Sequence, residues 1–383
     1  MTRILTAIVV AIALILIAIL AIVIVNYFNP LKNKDATSSG NFIIIEDFIG
    51  RSIKIPTNIQ RVVALGPGSL RLLSYLNALD LVVGVEEVEH TWSAIGRDYA
   101  MAYGDKLKNL PIVGPGGPRS APDPEKIRAV KPDIVIMGLT YVDLYNPDRL
   151  SEEVNAPVIV VDYGSAGYLD LESFKKALKL LGRILNREYR AEELCKFIDV
   201  ITADLKRRTE NIASKPSIYV GAISYKGKQP FTSSQSNFPP LILLNTTSIV
   251  DKVSDKFGFV SIDFEYILSM QPDIVFIDLN NLDVVLEDYV KDPTKYCSLK
   301  AFKEGKVYAI LPFNYYHTNI ATALADAYYM GKIIYLDKFT DIDPEAKANE
   351  VFKVFLGKEL YEDFVKGLGK GFASLSDLFK CSR

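Results

Sequence analysis

Two short units in this chain carry carboxylates at matching places. DPEKIRAVKPDIVI begins at Asp123 and DFEYILSMQPDIVF at Asp263, and the third place of each is a glutamate, Glu125 and Glu265. In each copy the leading aspartate can accept a backbone N–H and cap a helix. Pro124 suits a first helical position, and the glutamate then falls at the positive end of the helix dipole. Pro132 and Pro272 end the helices before a strand. A second cluster is FNYYHTN, with Tyr315, Tyr316 and His317. Its imidazole could ligate a metal centre or hydrogen-bond a chelator. Further aromatic residues, Trp92, Tyr99, Tyr103, Tyr141, Tyr225 and Phe231, fall in or beside segments read as loops. Such walls suit a flat or partly apolar ligand. Arg119 follows GPGGP and could clamp a carboxylate,.

Enzymatic chemistry is poorly supplied. His90 and His317 are the only histidines, and Cys195, Cys297 and Cys381 the only cysteines. A histidine-rich zinc or manganese site is therefore not expected. GSAG at Gly164 does not match a nucleophile elbow. GPGSLR and GLGKGF lack the phosphate-loop spacing. The cysteines are odd in number and widely spaced; one disulfide is left open but not expected. With a formal charge of −2, the chain has no basic footprint for nucleic acid,.

The 383 residues allow two domains of ordinary size,. Ile4 to Val25 is uncharged and apolar. As a helix it would be about 33 Å long, enough to cross a membrane's hydrocarbon layer. It is long for a cleavable signal, so an uncleaved anchor over 1–26 is expected. Arg3 precedes it, which places the remainder on the extracytoplasmic side. Residues 27–41 read as a polar tether.

Beyond the tether, NFIIIEDFIGRSIKIP reads as a hairpin. RVVALGPGS, LRLLSYLNAL and LVVGV read as strand, helix and strand, a βαβ unit of a parallel sheet. Residues 42–170 form a first α/β lobe on this reading. Two helices follow over 171–214, the second long, since apolar residues recur three and four apart. A second α/β lobe occupies 215–340, and C-terminal helices 341–383, opened by Asp343 and Pro344,. Each lobe holds one copy of the repeated unit, which predicts pseudo-symmetry. In open parallel sheets ligands bind beyond the carboxyl ends of the strands. That selects Pro67–Ser69, Glu86–Tyr103, Gly114–Arg119, Thr140–Tyr145, Tyr163–Gly164, Tyr225–Ser234 and Asn314–Asn319 as candidate binding loops, Ser69 among their residues.

EDFIGRSIKIP, QRVVALGPGSLRLLSYLNALDLVVGV, KPDIVIMG, QPDIVFID and AFKEGKVYAI, in this order, resemble substrate-binding proteins of ABC transporters for metal chelates, the iron–siderophore, haem and cobalamin class. The resemblance covers about residues 42 to 357. It implies two Rossmann-like lobes joined by a long helix, with the ligand in a cleft between them. It also implies a permease dimer with a cytoplasmic ATPase as partner, no cofactor and no catalysis. Family glutamates that dock on permease arginines stand seven residues before the Pro of a Pro-Asp strand start. Glu125 and Glu265 match that position. One departure is Arg71, where the family often has an acidic residue in the first turn. A solvated helix position is expected for it; near the cleft it would favour an anionic chelate. Rival readings are an anchored enzyme acting on a chelate or tetrapyrrole, and a free-metal binding protein.

Overall fold

The computed structural model describes residues 42–225, 227–254 and 258–381. Short aliphatic runs build two parallel sheets. In the first, β3 (Val62–Leu65) lies between β4 (Val82–Gly84) and β5 (Ile134–Gly138), and β6 (Val158–Val161) flanks β5. Val62 pairs with Val82 and Ile134, and Val135 with Val158. Every residue of β3, β5 and β6 is buried. Unbroken rather than alternating apolar runs are what a sheet covered on both faces requires. In the second sheet, β10 (Ile274–Asp278) lies between β7 (Ile218–Gly221) and β11 (Val307–Ile310), again all parallel.

The repeated unit does the same work in both lobes. The helices Pro124–Ala129 and Phe264–Met270 both exit through a left-handed residue, Lys131 (φ 47°) and Gln271 (φ 41°), just before the proline. The aspartate that follows then ties the neighbouring strand. Asp133 accepts from the Gln60 and Arg61 amides at 2.8 Å each, ahead of β3, and Asp273 from the Ser217 amide at 2.9 Å, ahead of β7. The copies differ at the helix start. Asp123 caps through the Lys126 amide at 3.1 Å, whereas Asp263 makes no side-chain cap.

One edge of each parallel sheet is covered, as exposed edges otherwise pair with other chains. The hairpin of β1 (Phe42–Glu46) and β2 (Ser52–Pro56) turns at Asp47–Arg51. That turn covers β6: the Phe48 amide donates to Val160 O, the Val160 amide to Asp47 Oδ2, and Arg51 Nη2 to Val158 O. The edge of β11 is covered by the C-terminal tail, where Ala309 donates to Ala373 O and Leu375 to Val307 O. A small antiparallel pair, β8 (Ser233–Ser236) and β9 (Gly258–Ser261), falls partly in a stretch read as a binding loop. Its strand β8 is all polar and fully buried, so apolar patterning gave no signal for it.

The helix Glu188–Thr209 is the longest of the described residues, about 33 Å at 1.5 Å per residue,. One end is pinned to the first lobe by Arg187 on Asp80 and by Arg190 on the Tyr75 carbonyl. At the other end Arg208 grips Asp341 with two 2.7 Å bonds. Residues Ile44–Arg383 form one compact unit, so the lobes are packed together. The expected apolar anchor lies outside the described residues. Among those described, no helix is long and apolar enough to cross a membrane.

Contrary to the sequence reading, Cys297 and Cys381 form a disulfide, and Cys195 is free and buried. Spacing could not reveal the pair, because the tail reaches Cys297 only by running along β11 and seating Phe379 against Tyr289, Tyr296 and Phe302. The bridge closes a sequence separation of 84 residues. Replacing both cysteines by alanine should lower unfolding stability by roughly 2–4 kcal/mol. Denaturant melts should show wild type under reductant falling to the value of the double variant.

Candidate functional site: the cleft between the lobes

The loop 313–319, between β11 and the helix Ile320–Ile334, leaves the second lobe and inserts into the first. Tyr316 (φ 52°) and His317 (φ 79°) both adopt left-handed backbone, which side chains other than glycine rarely do,. The contacts that hold them there come largely from Arg71. Its guanidinium is fully buried and has all five of its N–H donors engaged,. Nε donates to Asp98 Oδ1 at 3.0 Å. Nη1 donates to the Tyr163 hydroxyl at 3.0 Å and to Tyr316 O at 3.1 Å. Nη2 donates to Tyr315 O at 3.0 Å and to Asn319 Oδ1 at 2.8 Å. Burial works against the charge, but Tyr163 and Asp98 outweigh it, so Arg71 stays cationic. Asn319 completes the junction by donating to Gly96 O and Phe313 O.

A second junction centres on Glu86, also buried. Oε2 accepts the Tyr316 hydroxyl at 2.7 Å and the Gly66 amide at 3.0 Å, and Oε1 the Tyr141 hydroxyl at 2.7 Å. Burial pushes its carboxyl up to about 7, although these three bonds pull it down.

Between the lobes lies a cavity of about 1040 Å³. The first lobe supplies Pro67, Trp92, Ser93, Ile95, Pro118, Thr140 and Ala166, and the second Tyr225, Lys228, Leu279, Asn280, Leu282, Asp283 and Leu286. The inserted loop contributes Asn314 to His317. Trp92 stacks on Tyr315, with centroids 6.0 Å apart and planes 18° apart, and Tyr225 on Phe259 at 4.3 Å and 14°. Arg97 fixes the Trp92 carbonyl at 3.1 Å and is itself held by buried Glu89 at 2.7 Å.

Of the residues proposed from sequence, Trp92, Tyr225, Tyr315, Tyr316 and His317 line the cavity together. Others are placed elsewhere. Ser69 is buried at a helix start, its hydroxyl donating to Leu65 O. Tyr141 is buried beneath Gly66, its hydroxyl given to Glu86. Phe231 lies in an aromatic core with Tyr219, Tyr296 and Phe302. Tyr99 and Tyr103 belong to a helix, Asp98–Leu107, in a stretch read as a loop. The Tyr103 hydroxyl is spent on the Leu356 carbonyl. Arg119 is exposed beside Pro118. Arg71 is neither solvated nor a cleft wall residue, because the inter-lobe junction consumes it.

His317 Nδ1 accepts the Thr318 amide at 2.9 Å, and the ring also bonds the Gly164 backbone and lies 4.1 Å from the Tyr163 ring. Burial, then Arg71, pushes it down to about 3, so it is neutral and has no nitrogen left for a metal. Among the described residues no cluster of three His, Cys, Asp or Glu could hold a metal ion.

The signature of the periplasmic binding protein family matches residues 62–312, well over half of the chain. The chain belongs to this family. The binding protein is 22% identical over 334 residues to the molybdate-binding protein MolA of Haemophilus influenzae, covering 82% of this chain and 90% of that one. It is 25% identical to the petrobactin-binding protein YclQ of Bacillus subtilis, covering 66% and 75%. Among solved structures, a periplasmic solute-binding protein from Veillonella parvula superposes with a TM-score of 0.66 at 18% identity, over 86% of this chain and 97% of that one. Molybdate-bound MolA superposes with a TM-score of 0.62 at 19% identity, over 83% and 98%. These relatives share the two-lobed α/β fold and are solute-binding proteins; the chain is a transport component and not an enzyme.

Arg71→Met should destabilise the binding protein by about 3–5 kcal/mol, since Asp98 is left buried without its partner. Arg71→Lys should not restore stability, as one ammonium cannot reach acceptors spread over both lobes. Urea unfolding checks both. Glu86 gives a pH signature. Its proton is held to about 7 in the folded chain against 4.5 ordinarily. Folding therefore takes up a proton between these values, and the Glu86 contribution is full below the lower and lost as pH rises through the upper. The difference in unfolding free energy between wild type and Glu86→Gln should shift by roughly 3 kcal/mol from pH 4.5 to 7.5.

Proposed function

We propose that the binding protein captures a metal chelate in the inter-lobe cavity and delivers it to an ABC permease dimer driven by a cytoplasmic ATPase. The observation that carries this reading is a largely apolar, aromatic-walled cavity of about 1040 Å³, contributed by both lobes. That volume fits a ligand of tens of heavy atoms. The named ligands of relatives run in the same direction: petrobactin, ferric anguibactin and iron(III) citrate, alongside molybdate. The residues we assign to the ligand are Trp92, Tyr225, Tyr315, Tyr316 and His317. The lobes are assigned to 42–170 and 215–340, bridged by the helical segment 171–214. The N-terminal 1–26 act as a membrane anchor that holds the binding domain at the extracytoplasmic surface.

Docking is assigned to Glu125 and Glu265. Both are exposed and lie in the first turn of equivalent helices, one per lobe. Two separated charges suit orientation more than affinity, because each exposed ion pair contributes only about 0–1 kcal/mol.

Titrating the full chain with a metal chelate should change Trp92 fluorescence in a saturable way with no turnover of the chelate. Glu125→Ala combined with Glu265→Ala should leave chelate affinity unchanged and reduce uptake in cells at least about tenfold. Normal uptake by the double variant would refute the docking assignment.

A further inference from the structure

The stretch GLGKGF, residues 367–372, has no phosphate-loop spacing and lies beyond the 62–312 span of the family signature. Its glycines answer to packing instead. Gly367 lies inside the helix Tyr361–Leu368, where glycine is the least favourable residue after proline,. Such a glycine needs a packing reason, and Ile95 of the first lobe supplies it. A Cβ at Gly367 would collide with Ile95 Cδ1 and fall 2.7 Å from its Cγ1. Gly369 (φ 76°) ends the helix in left-handed backbone. At Gly371 a Cβ would fall 2.7 Å from both Tyr361 Cζ and Val365 Cγ2, so the chain folds back over its own helix.

These contacts make a strap from one lobe to the other. Ahead of the helix, the Tyr103 hydroxyl donates to the Leu356 carbonyl and Lys358 Nζ to the Ala102 carbonyl, both first-lobe partners. Beyond it, Phe372 stacks on Tyr329 of the second-lobe helix Ile320–Ile334, with centroids 4.4 Å apart and planes 11° apart. Ala373 O then accepts from Ala309 of β11 at 2.9 Å. Where the strap crosses between the lobes, Gly367 and Leu368 line the inter-lobe cavity with Ile95, Ser93 and Trp92. Leu368 and Ile95 are both half-buried, so each keeps apolar surface that an occupant of the cavity can cover,.

We propose that this C-terminal strap is a working wall of the ligand cavity: Leu368 packs against the bound chelate, and the bare backbone at Gly367 sets where Ile95 stands. This rests on the chelate-binding function proposed above. It adds two specificity-determining positions, 367 and 368, from a part of the chain that the family signature does not reach. Any side chain at 367 displaces Ile95 and so changes the shape of the cavity.

The test uses the full chain with isotope-labelled Ile and Leu methyl groups, observed by NMR. The probes are ferric petrobactin and ferric citrate, each paired with its gallium(III) counterpart. Iron(III) is paramagnetic and broadens the signals of nearby protons, whereas gallium(III) only shifts them. With an iron probe bound, the Leu368 and Ile95 methyl signals should broaden together with those of Leu279 and Leu286, which line the cavity from the second lobe. Those of Leu194 and Leu205, buried on the long helix, should keep their width. Leu368→Asn should weaken probe binding at least about fivefold, since apolar contact is lost, with the thermal melt unchanged. Gly367→Ala should shift the Ile95 δ-methyl signal without any probe present and weaken binding at least about threefold. Adding Ile95→Ala removes the colliding atoms, so the double variant should bind as Ile95→Ala alone does, a non-additive result that a general loss of stability would not give. A Leu368 signal that stays sharp while Leu279 and Leu286 broaden would overturn this inference and leave the proposed function standing. So would a Gly367→Ala chain with an unmoved Ile95 signal. Response of no cavity methyl to either probe would count against the proposed function itself, and this inference would fall with it.

Discussion

The architecture depends on one buried cation. Arg71 sits in the first helix of the first lobe, yet three of its five hydrogen bonds go to the loop that follows β11 in the second. A buried charge is tolerable only when its partners are complete, and here completeness requires both lobes in a single relative placement. Glu86 imposes the same condition from another direction through the Tyr316 hydroxyl. The unfavourable backbone of Tyr316 and His317 is sustained by these contacts,. The cavity walls at Tyr315, Tyr316 and His317 thus have positions set from the opposite lobe. A binding surface built this way is preorganised, and less ordering is left for the ligand to impose.

Much of the fold was legible in the sequence. Apolar runs bounded by turn residues marked β3, β4, β5 and β10, and three-and-four spacing marked the long helix. The repeated unit marked one helix and strand in each lobe. Its second function was hidden. Asp133 and Asp273 look like strand-start residues, but what they do is hold the adjacent strand, a contact made across sequence separations of 72 and 56 residues.

The site was only partly legible, for a physical reason. An aromatic hydroxyl in a loop looks the same in sequence whether it faces a ligand or a buried acceptor. Tyr141 found Glu86, and Tyr103 found the Leu356 carbonyl, both distant in sequence. The residues that position the site, Glu86, Asp98, Tyr163 and Asn319, fell inside the candidate loops, but nothing in the loops set them apart as holding the junction rather than the ligand. The departure at Arg71 was the one available clue to them. An arginine in an otherwise apolar helix implies a buried carboxylate elsewhere, and Asp98 is that carboxylate.

The C-terminal tail carries a consequence of another kind. Residues 373–375 close the open edge of β11, and Cys381 then fastens that closure to Cys297. A covalent link of this sort persists in an oxidising compartment and not in a reducing cytosol. The second sheet thus has the edge at β11 held by two backbone hydrogen bonds and a covalent link that depends on the redox state around it. Where that link is reduced, the tail loses its covalent hold and β11 is the edge most open to pairing with another chain.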